Sequence, residues 1–82
     1  GDLRDQARAA LHLLRRPDEA LDLALRNWAV QREPWDARLV LEAALAAGNP
    51  AAAGPVLEWL KETGLEDARL AALMQRIGGR RP

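Results

Sequence analysis

The chain has no Cys, Ser, Tyr or Phe, and only one Thr (Thr63), one His (His12) and one Lys (Lys61). Each absence removes a class of chemistry. Without Cys there is no disulfide, no thiolate nucleophile and no Cys-ligated zinc, and cysteine usage leaves the redox compartment open. Without Ser or Cys, His12 has no usual nucleophile to activate. Long apolar runs are missing too: Leu39-Val40-Leu41 is cut by Glu42, and Ala43 to Ala47 by Gly48, well short of the roughly 18 to 20 residues that span a bilayer. A membrane partner is therefore not expected. Val, Ile and Thr are scarce, which disfavours strands.

What is present is a helix-forming composition. Ala, Leu and Arg dominate the 82 residues, 49% are hydrophobic, and 12 Lys+Arg balance 12 Asp+Glu. These figures predict one all-α globular domain. The chain opens with Gly1-Asp2-Leu3-Arg4 and not with Met, which reads as an excised piece or a mature form, so cytoplasmic and periplasmic settings both stay open.

Helix punctuation divides the chain into five segments. Leu3 to Arg15 carries Leu3, Ala7, Ala10, Leu11 and Leu14 at helical spacing, with Asp2 or Asp5 at its start. Pro17-Asp18-Glu19 opens a second helix, with Leu21, Ala24, Leu25, Trp28 and the stem of Arg32 on one face, ending before Pro34. Pro34-Trp35-Asp36 opens a third that Gly48 closes. Pro55 lies five residues beyond Pro50, so a kink or short separate turn is expected over 50–54, followed by a regular helix from about Pro55 to Thr63. Gly64 closes that helix. Glu66-Asp67 opens a fifth that Gly78-Gly79 is expected to stop, leaving a frayed basic tail over 79–82.

The segments repeat. Asp36-Ala37-Arg38-Leu39 recurs as Asp67-Ala68-Arg69-Leu70, and at the same offset Trp28 recurs as Trp59 and Gly48 as Gly79. An offset of 33 aligns Pro17 with Pro50, Ala20 with Ala53 and Leu14 with Ala47. Helices one and two, then three and four, read as two copies of one hairpin, and stacking would join apolar faces too small to be buried alone.

On these residues the chain resembles the tetratricopeptide repeat family, whose unit is a helical hairpin of about 34 residues. Arg16-Pro17-Asp18-Glu19-Ala20-Leu21 and Gly48-Asn49-Pro50-Ala51-Ala52-Ala53 are similar to its inter-helix turn, with Ala20 and Ala53 at the small packing position. The first-helix signature is degraded: Arg4, Ala7-Arg8 and Leu11 stand where Trp, Leu-Gly and Tyr are usual, as do Ala37, Val40-Leu41 and Ala44. Another helical-hairpin repeat and a plain five-helix bundle therefore remain alternatives. The resemblance implies a right-handed stack of two and a half hairpins over residues 1–79: hairpins at 3–33 and 34–64, and a capping helix at 65–78. It further implies a groove lined by the first helix of each hairpin. Groove positions are Asp5, Ala9 and His12, then Trp35, Arg38, Glu42 and Leu45, then Arg69, Leu73 and Arg76.

Read for chemistry, these residues point to binding and not to catalysis. His12 is the one side chain whose ordinary pKa lies near neutrality, but it has Arg8, Arg15 and Arg16 as neighbours and reads as a surface histidine. The acid pairs Asp18/Asp22, Glu58/Glu62 and Glu62/Glu66 lack calcium spacing or a second His, so neither metal nor cofactor is expected. Residues 1–33 hold six acids and six Arg, residues 34–64 are net negative by two and residues 65–82 net positive by two. That scatter, without Tyr or Phe, argues against nucleic acid. Trp28 and Trp59 read as core, while Trp35 is either a hydrophobic staple or a partner anchor. Arg38 and Arg69 either grip a peptide carboxylate or pair locally, Arg38 with Glu42 and Asp36, Arg69 with Glu66 and Asp67. The expected function is a non-catalytic protein-protein interaction module for a peptide or partner domain. The alternative is a structural C-terminal cap or self-association element of a larger solenoid, as a homo-oligomer or stacked on upstream repeats.

Overall fold

The computed structural model of the chain describes residues 2–80, and every regular element among them is helical. The helices are α1 (Leu3–His12), α2 (Pro17–Trp28), α3 (Pro34–Ala46), α4 (Gly54–Thr63) and α5 (Ala68–Arg80), with a 3-10 turn over Pro50–Ala53 ahead of α4.

Local chemistry sets most of the boundaries. The Asp2 side chain accepts the Asp5 amide at 2.9 Å, and Asp67 Oδ1 accepts the Arg69 and Leu70 amides at 2.9 and 3.1 Å, so both outer helices start on a carboxylate cap. Pro17 and Pro34 occupy first turns, where a missing amide hydrogen costs nothing. The expected interruption over 50–54 is the 3-10 turn, which leaves Pro55 in the first turn of α4. Gly48 and Gly64 take φ of +66° and +65°, the left-handed region that a side chain disfavours.

Two helix ends differ from the sequence expectation, and the end of α2 falls before Pro34 as expected but earlier than the apolar face suggested. α1 stops at His12 and not at Arg15, because the Leu13 and Leu14 amides both bond the Ala9 carbonyl and Arg15 turns the chain at φ +53°. Leu14, expected on the apolar face, is exposed as a result. α2 stops at Trp28, well short of Pro34, where the Val30 and Gln31 amides turn back onto the Asn27 carbonyl. Arg32 thus lies beyond the helix. α5 passes through Gly78-Gly79 to Arg80, since neither glycine adopts the left-handed conformation that ends a helix. Of the expected frayed tail, Gly79 and Arg80 are helical, and Arg81 and Pro82 lie outside the described residues.

α3 is the hub. It packs against α1, α2, α4, α5 and the 3-10 turn, and its Ala37, Val40, Leu41, Ala43 and Ala44 are fully buried. Ala7 and Ala10 of α1 and Ala20 and Ala24 of α2 are buried as well, small enough for those two helices to approach closely. Trp28 is buried and meets the half-buried Trp59 edge to face, with ring centroids 5.1 Å apart and planes at 88°. Leu70, Leu73 and Ile77 are the buried residues of α5, which packs against α3.

A polar tie fastens α1 to α3. Asp36 is fully buried and accepts from Arg4 Nε at 2.6 Å and Arg4 Nη2 at 2.8 Å, from Asn27 Nδ2 at 2.7 Å and from the Glu33 amide at 3.1 Å. Gln31 completes the set, accepting from Arg4 and donating to Asn27 Oδ1. Burial pushes the Asp36 carboxyl up, but the hydrogen bonds from Arg4, Asn27 and the Glu33 amide, with the Arg4 charge, outweigh it and hold the group below its ordinary value. The hydrogen bond to Asp36 likewise raises the Arg4 guanidinium.

Candidate functional site

Seven of the ten residues expected to line a groove share one surface built from α1, α3 and α5. His12, Glu42 and Arg76, one from each helix, surround an open depression of about 500 Å³ floored by Leu11 and Leu45. His12 and Glu42 also border a narrow cleft of about 60 Å³ with Arg8, Trp35 and Arg38. Trp35 and Arg38 in turn border a third, of about 370 Å³, with Arg69 and Asp67. The three clefts adjoin one another through these shared residues.

Three of the expected groove positions fall elsewhere: Ala9, which lines none of these clefts, Asp5 and Leu73. Asp5 lines none of these clefts: it stands exposed in the first turn of α1, where its amide is held by Asp2. Leu73 is buried in the core, because α5 turns its Leu70, Leu73 and Ile77 stripe inward.

Glu42 organises the charges. Its Oε2 lies 3.7 Å from His12 Nε2 and its Oε1 3.5 Å from Arg38 Nε, so one carboxylate links α1 to the middle of α3. The local pairing anticipated for Arg38 is therefore made with Glu42, whereas Asp36 turns inward to Arg4. Arg69 departs from its anticipated pairing: among the described residues no carboxylate lies within ion-pair distance of its side chain or that of Arg76. Trp35 is 45% exposed, and the Arg4 guanidinium lies 5.6 Å from its ring centroid.

Several contributors were not among the expected groove positions: Arg8, Leu11 and Asp67 line the clefts, and Arg4 stacks on Trp35. Arg8 belongs on this surface because it precedes His12 by one helical turn, a spacing legible in the sequence. Arg4 stacks on Trp35 through a contact between residues far apart in the chain, for which the sequence carried no signal. The surface as a whole offers Arg8, Arg38, Arg69 and Arg76 against Glu42 and Asp67, which suits carboxylate and backbone carbonyl groups of a ligand.

Among the described residues, no three His or carboxylate side chains converge as metal ligands, and no helix is long and apolar enough to cross a membrane. Compared with known family models, curated proteins and solved structures, the chain finds no match.

Proposed function

We propose that the chain is a non-catalytic protein-interaction module, a tetratricopeptide-like stack of helical hairpins in a right-handed arrangement, whose α1–α3–α5 surface receives a peptide or a partner domain. One observation carries this reading: residues 64 positions apart, from His12 to Arg76, border a single depression through Glu42. The packing of α3 against both α1 and α5 supports the stack. Arg38 and Arg69, equivalent in the repeated Asp-Ala-Arg-Leu, border the same cleft and present two guanidinium forks to a carboxylate.

The test is calorimetric titration with extended peptides that end in a free carboxylate. Arg38→Ala and Arg69→Ala are each expected to weaken binding by about tenfold. Unchanged affinity in both variants would contradict the reading.

A second reading, a structural cap or self-association element of a larger solenoid, is favoured by the outer side of α5. Ala68, Ala71 and Met74 are exposed there beside Leu65, in a cleft of about 580 Å³. Their counterparts 31 positions earlier, Ala37, Val40 and Ala43, are fully buried. Sedimentation over a range of concentrations separates the two readings: a monomer that binds peptides excludes self-association.

A further inference from the structure

A separate cleft of about 440 Å³ opens between α2 and α4, and it shares no residue with the α1–α3–α5 surface. Its walls are aromatic and acidic. Trp28 and Trp59 meet at its base, and on α4 the carboxylates of Glu58 and Glu62 flank Trp59 one turn apart. Both glutamates are exposed, and among the described residues neither has a basic group within ion-pair distance.

The cleft already holds one cation of its own chain. The Arg32 guanidinium lies 5.7 Å from the Trp28 ring centroid, and its Nε donates to the Trp28 carbonyl at 3.4 Å. A guanidinium is suited to such a place because its flat face stacks on an indole while its edge donates to carboxylates. Trp28 therefore has its cation. Trp59, half-buried and set between two carboxylates, has none among the described residues.

We infer that this cleft is a second docking surface, which takes an arginine side chain from a basic segment of a partner protein. The guanidinium stacks against Trp59 and donates to Glu58 and Glu62, repeating in trans the contact that Arg32 makes with Trp28. Charge complementarity selects this occupant: Glu58 and Glu62 outnumber Arg32 in the lining, and two carboxylates at the mouth repel the phosphates of a nucleic acid. The surface is independent of the one proposed above.

The test uses the whole chain and three acetylated, amidated glycine peptides carrying two arginines, two lysines or two citrullines. Tryptophan side-chain resonances and fluorescence report on binding. The arginine peptide should shift the Trp59 indole signal saturably, bind better than the lysine peptide, and leave the citrulline peptide without effect. Glu58→Gln/Glu62→Gln, which alters only exposed groups, should weaken the arginine peptide by about tenfold, and Trp59→Leu, followed through the backbone amides of Glu58 and Glu62, should abolish binding. Equal binding of the arginine and citrulline peptides, shifts at Arg38 and Arg69 in place of Trp59, or no saturable response at millimolar peptide would each overturn the inference. These peptides lack a free carboxylate, so their outcome is distinct from that of the calorimetric test.

Discussion

Arg4 grips Asp36 with two of its nitrogens, Nε to Oδ1 at 2.6 Å and Nη2 to Oδ2 at 2.8 Å, across 32 residues of chain and two helices. A buried carboxylate of this kind is costly to isolate and well served by full satisfaction. Asp36 has that satisfaction, from Arg4, Asn27 and the Glu33 amide. The tie fixes where α1 lies on α3, and with it the separation of His12 from Glu42.

Removing the carboxylate should therefore be expensive. Asp36→Ala leaves the buried Asn27 amide without its acceptor and is expected to cost about 2–4 kcal/mol in denaturant unfolding. Arg4→Met should also destabilise. The double variant should fall short of the sum of the two, because each single change strands a partner of the other. Additive losses would show that the two groups do not act together.

The same carboxylate makes stability depend on pH with a definite sign. Its folded pKa lies below the ordinary value, so the unfolded chain binds the proton more tightly, and stability rises with pH while the two states differ in protonation. The contribution is complete above about pH 5 and fades as the pH falls through the folded value. Urea midpoints measured from neutral to strongly acid pH should show the advantage of the native chain over Asp36→Asn shrinking over that range. A constant difference would rule out a depressed Asp36.

The glycines divide into two kinds, and alanine substitution should separate them. Gly64 holds φ +65° at the end of α4 and would have open space around an added Cβ, so Gly64→Ala is expected to cost about 1 kcal/mol for the backbone alone. Gly78 lies inside α5, with nothing within 4 Å of an added Cβ. Gly78→Ala is expected to stabilise by about 0.5 kcal/mol. Thermal melts that move in the same direction for both would contradict these assignments.

That contrast also marks what the sequence could disclose. Where a boundary depends on one residue's own chemistry, as at Pro17, Pro34, Gly48, Gly64 and Asp67, the sequence located it. The turns after α1 and α2 use Arg15 and the Ala29 to Gln31 stretch, which carry neither Gly nor Pro, so periodicity ran on through them. Gly78-Gly79 misled in the opposite sense, because glycine only permits a left-handed stop. For the surface, the repeat marks Arg38 and Arg69 as equivalent positions, and both border one cleft, while the expected groove followed from the family resemblance and not from the repeat alone. Asp36 was beyond its reach: the repeat presents it as the twin of Asp67, yet Asp36 turns into the protein toward Arg4 while Asp67 stays at the surface capping α5.

The most direct test of the central claim is chemical-shift mapping of the isotope-labelled chain with an extended peptide ending in a free carboxylate. Binding to the α1–α3–α5 surface predicts saturable shifts at His12, Arg38, Glu42, Arg69 and Arg76, which Arg38→Ala diminishes. Shifts confined to α2 and α4, or no saturable shift for any such peptide, would contradict it.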